Sequence, residues 1–248
     1  MTEPLVELRD IQKSFDAKAV LRGVSFALRK GTTLAVMGGS GSGKTVLLRI
    51  TDGLIRPDEG QVALFGTRIE RMREEAMLAI RKRAGFVFQS AALFDSMTVG
   101  DNVSFPLREH TKLSESDIRQ KVKDTLAVVD LVDVEQKYPA ELSGGMRKRV
   151  GLARAIIRDP KIVLYDEPTT GLDPLTTESV DQMIIAARDK LKVTSVVISH
   201  DIGSAFHIAD YIAMLHHGVI VAQGTAAEVR KSQEPHTREF LATWFGRT

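Results

Sequence analysis

GGSGSGKT, residues 38–45, is the stretch on which the fold turns, because it follows the pattern G-x-x-x-x-G-K-[ST],. The apolar run TLAVM (33–37) precedes it with strand character, and VLLRITDGL (46–54) follows with helical character,. A glycine-rich turn between a strand and a helix lets backbone N–H groups face inward around an oxyanion. The helix N-terminus adds a favourable dipole. Gly38, Gly39, Ser40, Gly41, Ser42, Gly43 and Val46 are therefore expected along a phosphate chain. Lys44 is expected to reach the β- and γ-phosphates, and the Thr45 hydroxyl to ligate Mg²⁺,.

Further out, short apolar runs recur at GFVFQ (85–89), IVLYDE (162–167) and TSVVIS (194–199). Such runs suit strands buried on both faces of a parallel sheet, joined by helices as βαβ units. Before the glycine loop, residues 5–11 and 20–28 read as strands, and QVALFG (61–66) follows the turn RPDEG (56–60),. These predict an N-terminal antiparallel β subdomain. Between Gln89 and Asp159 strand signals vanish, and Ser114-x-x-Asp117 reads as a helix start before Ile118, Val122, Leu126 and Val129,. After Pro174, the residues Val180, Ile184, Ala187 and Leu191 mark one helix face,. His216-His217-Gly218 reads as a hairpin turn, and Phe240, Leu241, Trp244 and Phe245 sit on a short closing helix. The expectation is a single α/β domain over residues 1–248. Its parts are a core at 1–88 and 160–225, an inserted helical subdomain at 90–159 and a helical tail at 226–248.

Composition excludes several classes. The 248 residues carry 34 Lys+Arg against 32 Asp+Glu, a formal charge of +2, and 43% are hydrophobic, which suits a folded chain with a substantial core,. With no cysteine, disulfide scaffolds, thiol nucleophiles and thiolate metal sites are all removed,. A charge of +2 is too weak a field to recruit nucleic acid or anionic lipid in bulk, and no nucleic-acid partner is expected,. No apolar run approaches the roughly 18–20 residues that span a bilayer. Glu3, Glu7 and Asp10 stand where a signal peptide needs a basic and then an apolar stretch,. A soluble cytosolic chain is expected, held by something else if it works at a membrane.

IVLYDE delivers two carboxylates at the C-terminal end of a buried strand, where ligands gather in open α/β sheets,. Asp166 is expected to hold Mg²⁺ through water, and Glu167 to orient and deprotonate an attacking water,. Alone, an apolar run ending in DE also suits a solvated acidic turn; the pair gains weight from the glycine loop. A simple kinase or GTPase-like switch shares both elements. LSGGM (142–146) opens a helix, and Ser143, Gly144 and Gly145 at its start form a second anion site,. Two half-sites so distant in sequence are economically joined in a head-to-tail pair, each chain completing the other's site. A Ser-capped helix with a flexible entry is the local alternative.

In order, GGSGSGKT, Gln89, LSGGM, LYDE, Gly171-Leu172-Asp173 and His200 resemble the nucleotide-binding subunit of an ABC transporter, over nearly the whole chain. The resemblance implies a P-loop ATPase that hydrolyses ATP with Mg²⁺ in an ATP-sandwich homodimer. It implies a catalytic set of Lys44, Gln89, Glu167 and His200, with Thr45, Gln89 and Asp166 at the metal. By position, Phe15 resembles the aromatic that stacks on adenine, and Gln89 the glutamine that joins metal and water to the helical insertion. His200 resembles the histidine on the γ-phosphate. Ser143, Gly144, Gly145 and Asp173 correspond to contacts made with the opposing subunit's nucleotide. On their own, Phe15 and His200 also suit core positions, and Gln89 a polar strand end. Two residues depart from the family pattern: Met146 replaces the usual glutamine of the signature, and Val46 a common hydroxyl residue. Neither touches the γ-phosphate, so hydrolysis is expected to survive.

QSAALFDSMTVGDNVSFPLREHTKL (89–113), with LSGGM and the basic residues after it, resembles the Mce/Mla-type ATPases of bacterial lipid transport. Within it, PLREHT (106–111) reads from spacing alone as a solvated connector. The resemblance implies an integral membrane permease that moves phospholipids between inner and outer membranes. It places the ATPase on the cytoplasmic face of the inner membrane, often with a periplasmic lipid-binding component and in some members a small cytosolic accessory protein. A groove beside Gln89 would receive a permease helix, with Ala91, Leu93 and Phe94 either on that surface or in the core. An importer ATPase for amino acids or another small polar solute is the alternative. A non-transport ABC ATPase on nucleic acid or ribosomes ranks lower, since there is one cassette and only a modest insertion.

Overall fold

The computed structural model describes residues 3–16 and 18–246. Thr33–Met37 (β3) is buried along its whole length, as an apolar run with neighbours on both sides must be,. It pairs in parallel with Thr194–Ser199 (β8) on one side and Tyr211–His216 (β9) on the other. Val36 thereby lies opposite both Ile198 and Ala213. Ile162–Asp166 (β7) and Ala84–Val87 (β6) extend the sheet in parallel, while Val219–Thr225 (β10) closes it antiparallel to β9. The order is β10-β9-β3-β8-β7-β6, so β3 and β7 end on the same edge with β8 between them.

A second, antiparallel sheet has Val6–Phe15 (β1) between Lys18–Leu28 (β2) and Glu59–Leu64 (β4), with the short Thr67–Arg68 (β5) at its edge. Its buried Val6, Leu8, Leu21 and Val62 share a core with Leu47, Leu48 and Ile50 of the helix Lys44–Thr51 (α1). The strand expected over residues 5–11 runs on to Phe15, because a left-handed Asp10 and a register shift after Leu8 absorb the bend. Arg22 N–H donates to Gly218 O at 2.8 Å and ties this sheet to the β9–β10 hairpin. Glu74–Arg81 (α2) precedes β6.

Between β6 and β7 the described chain is helical: Val99–His110 (α3), Glu115–Val128 (α4), a short 3₁₀ turn at Pro139–Glu141, and Gly144–Ile156 (α5). Thr98, Ser114 and Ser143 cap the three α-helices, each hydroxyl accepting a first-turn N–H,. Val103, Leu107, Ile118, Val122, Leu126 and Val150 form the shared core. The segment 106–110, which spacing alone reads as a connector, is the end of α3. Pro106 costs a helix about 3 kcal/mol, but the turn buries Leu107, which is worth a comparable ~1.5–3 kcal/mol,.

Pro174–Leu191 (α6) buries Val180, Ile184 and Ala187. Leu191, expected on the same face, is partly exposed, since it is the last helical residue before a left-handed Lys192. Ile202–Ile208 (α7) follows β8. Ala226–Arg230 (α8) and Pro235–Phe245 (α9) end the described chain. Leu241 is buried, and Phe240 and Phe245 pack on the same cluster as Ile202 and Ala205, so the aromatic tail docks on its own chain. Trp244 lies across Gly203 of α7, where an added Cβ would meet its ring at 2.6 Å, while its other face leaves it 60% exposed. Residues 247 and 248 of the expected tail lie outside the described residues. No helix among the described residues is long and apolar enough to cross a membrane.

Candidate active site

The glycine loop turns sharply from β3 into α1. Gly38 is irreplaceable on steric grounds: a Cβ there would sit 2.1 Å from the Leu215 carbonyl oxygen of β9. Gly43, left-handed at φ 106, precedes α1, whose first turn has no side-chain cap and no acidic residue. Its N–H groups and positive dipole end are thus left facing the loop. Ser42 Oγ is buried with no hydrogen-bond partner among the described residues, a donor suited to a phosphate oxygen,. Lys44 is only 6% exposed, and its Nζ donates to Gly38 O at 2.9 Å and Gly39 O at 3.0 Å. Burial lowers its pKa, while the Glu167 and Asp166 carboxylates pull it back up.

Across β8 from β3, the end of β7 presents the two carboxylates. Burial, with Glu167 beside it, raises the pKa of Asp166; Arg49, a hydrogen bond from Thr45 and Lys44 oppose the rise. Glu167 is left-handed at φ 48, and its N–H donates to Ile198 O at 3.0 Å. A non-glycine residue in that region stores strain, which fits a side chain aimed for use. Thr170 Oγ1 donates to Glu167 Oε2 at 3.0 Å, and His200 Nδ1 lies 3.3 Å from the same oxygen. Thr45 and Asp166 together offer hard oxygen donors, the chemistry Mg²⁺ takes. Among the described residues no three His, Cys, Asp or Glu side chains form a metal cage, so most of its ligands would have to be phosphate and water,.

The structure therefore gathers Lys44, Thr45, Asp166, Glu167 and His200 at one edge of the parallel sheet. Gln89 lies just beyond β6, and its hydrogen bond among the described residues is its backbone carbonyl accepting the Lys148 ammonium, not a contact with that group. Phe15, at the end of β1, is 44% exposed with Lys13 Nζ 5.3 Å from its ring centre, so it is not a core residue. Val46 is partly buried against the core that α1 shares with the antiparallel sheet. Ser143, Gly144, Gly145 and Asp173 form a second patch. Ser143 Oγ accepts Met146 N–H at 3.2 Å, and Asp173 Oδ1 accepts Leu175 and Thr176 N–H at 3.1 and 3.0 Å. No hydrogen bond among the described residues joins Ser143 or Asp173 to the glycine loop.

A family profile described as ABC transporter matches residues 21–170. The chain belongs to the ABC transporter family. A Mycobacterium tuberculosis protein named probable ribonucleotide transport ATP-binding protein mkl is 40% identical over 236 residues, 95% of this chain and 66% of that protein. The chain thus spans about two thirds of its length. The Escherichia coli K12 intermembrane phospholipid transport system ATP-binding protein MlaF is 39% identical over 237 residues, 96% of this chain and 88% of MlaF. Among solved structures, the ATP-binding cassette MJ0796, a dimer in a post-hydrolysis state bound to ADP and Pi, superposes with a TM-score of 0.82. It is 30% identical, covering 89% of this chain and 98% of that one.

In this ABC-type ATPase the insertion divides the three residues that the sequence left between a docking surface and the core. Ala91, a candidate for the docking surface, is buried against Gly151, and Leu93 packs on the helical core; Phe94 stays exposed. Sequence reasoning also missed Asn102, Lys148 and Arg154. Asn102 is fully buried, accepting Phe94 N–H at 2.8 Å and donating to the carbonyls of Phe94, Met97 and Thr98 at 3.0–3.2 Å. Lys148 lies on the buried stripe Gly145, Lys148, Leu152 and Ile156 of α5. A charge inside an apolar helical stripe is the signal that would have found it.

Proposed function

We propose that two copies of this ABC ATPase close head to tail on ATP, hydrolyse it, and drive a membrane permease that moves phospholipid. The observation that carries the hydrolytic reading is Glu167. Its carboxylate is held by Thr170 and His200 at the strand end beside Lys44, where a general base for water belongs,. Lys44, Ser42 and the α1 N-terminus bind the phosphates, and Phe15 stacks on the base. Thr45, Asp166 and Gln89 would hold Mg²⁺, which neutralises charge on the β- and γ-phosphates. Glu167 takes the proton of the attacking water, and His200 steadies Glu167 and the γ-phosphate. Ser143, Gly144, Gly145 and Asp173 belong to the partner's nucleotide, in keeping with their separation from this chain's own loop.

Phospholipid is the favoured cargo because the match to MlaF covers 88% of that protein, against 66% of the ribonucleotide-named mycobacterial relative. An open groove of about 380 Å³ beside Gln89, lined by Phe88, Phe94, Phe105 and Arg154 among others, is the seat for a permease helix,. Docking there would hold the chain on the cytoplasmic face of the inner membrane. A periplasmic lipid-binding component and a small cytosolic accessory protein would complete the assembly. Glu167→Gln keeps an oxygen for Thr170 but removes the base. It should cut turnover about 10²–10⁴-fold, or about 2.7–5.4 kcal/mol of barrier, while retaining ATP and trapping a dimer. Near-normal turnover in that variant would reject the assignment. Capture of the chain from detergent-solubilised membranes, followed by lipid analysis, tests the cargo; a co-purified permease without phospholipid but with bound ribonucleotide would favour the other name.

A further inference from the structure

One of the basic residues after LSGGM is placed unlike a surface lysine. Lys148 is only 8% exposed, and its ammonium donates to the Gln89 carbonyl, 59 positions earlier in the chain. Three residues on, Gly151 abuts Ala91, where an added Cβ would come within 3.1 Å of the alanine's own. After three more, Arg154 Nη2 donates to Ala91 O at 2.8 Å. Residues spaced by three share one strip of a helix. A strip of α5 thus grips the backbone just beyond β6, where Ala91 and Ala92 are both left-handed at φ 63 and 47. Asn102 clamps the far end of the same loop from α3.

Lys148 also lies within the electrostatic field of the reaction side. It makes no direct ion pair among the described residues, yet Glu167 is the carboxylate whose field reaches it, raising a pKa that burial lowers. A buried ammonium is costly unless its protons are bonded and a negative charge lies near. The Gln89 carbonyl and the Glu167 carboxylate meet those two needs separately.

We infer that Lys148 is a positioning residue for hydrolysis: its ammonium fixes the Gln89 backbone within the field of the Glu167 carboxylate, so the signature helix holds in register the two groups that flank the attacking water. This rests on the proposed role of Glu167 as the base. The restraint acts on the water and not on the phosphate grip of Lys44, so it belongs to kcat and leaves nucleotide affinity alone.

The test uses the full chain with Lys148→Met, Lys148→Gln and Lys148→Arg. ATP turnover is measured separately from the affinity for a fluorescent ATP analogue. Lys148→Met should lower kcat about ten- to a hundredfold with Kd altered less than about twofold. Lys148→Gln keeps an N–H for the buried Gln89 carbonyl, which protects the fold, and should still lose at least about fivefold in kcat. Lys148→Arg should stay within about threefold of the unaltered chain. In a Glu167→Gln background, Lys148→Met should cost clearly less than it does alone, because the carboxylate whose field it shares is gone. The inference is overturned by Lys148→Gln at full kcat, by Lys148→Arg as slow as Lys148→Met, by a loss carried in Kd, or by additive losses in the double variant. A failure of the Glu167 assignment is seen separately, as normal turnover of Glu167→Gln alone.

Discussion

Replacing Asp181 by asparagine should stabilise the fold at alkaline pH and have almost no effect in acid. Asp181 is buried on α6, and the buried Ser204 of α7 donates its hydroxyl to Asp181 Oδ1 at 2.6 Å. This bond joins the helix that starts after Asp173 to the one that starts after His200. Burial pushes the carboxyl up from 3.8 to about 6; the Ser204 bond and His207 pull it down, and Asp201 and Glu178 add to the rise. Between those values the folded chain still holds a proton that the unfolded chain has released. Stability from this group is therefore fullest below pH 3.8 and falls as pH rises through about 6,. A gap from 3.8 to about 6, at about 1.36 kcal/mol per pH unit, comes to about 3 kcal/mol,. Asparagine carries no charge at any pH and its Oδ1 still accepts from Ser204. The advantage of Asp181→Asn, read from urea midpoints at unchanged slope, should grow from near zero at about pH 4 to about 3 kcal/mol at about pH 8. An advantage that does not vary with pH, or an unaltered chain that gains stability relative to the variant as pH rises, would refute the reasoning.

Two further outcomes test the composite site and its scaffold. Lys44→Ala should bind nucleotide poorly and Ser143→Arg should bind it yet not turn it over. Mixing the two should restore ATPase activity through one intact site per mixed dimer, and a silent mixture would count against head-to-tail closure. Asn102→Ala leaves the Phe94 N–H and the Met97 carbonyl without their partner, while the Thr98 carbonyl keeps the backbone N–H of residue 102. At about 1–3 kcal/mol per unsatisfied group, eased by relaxation, a loss of about 2–4 kcal/mol is expected in thermal or urea unfolding.

Much of the architecture was legible because it is local. TLAVM followed by GGSGSGKT specifies a buried strand, a tight turn and a helix within residues 33–51, and β3 and α1 lie there. IVLYDE and TSVVIS declare buried parallel strands by their continuous apolar runs, and Ser114 caps its helix as its spacing implies. What stayed hidden depends on contacts between distant residues. Pro106 argues locally against a helix, and only the shared core under Leu107 overrides it. The grip of Lys148 and Arg154 on residues 89–91 spans about sixty positions, so no window of sequence contains both halves. The tail's aromatic residues likewise reveal their seat only when β10 and α7 are in place.

The lie of Trp244 has a practical consequence. It is the chain's one tryptophan, and its ring covers Gly203 on α7, just past His200. All of the protein's indole emission therefore originates at the seam between the closing helix and the segment leading from His200. That light is a built-in optical gauge: a colour change on adding nucleotide reports movement across this seam, with no dye attached and no second indole to subtract.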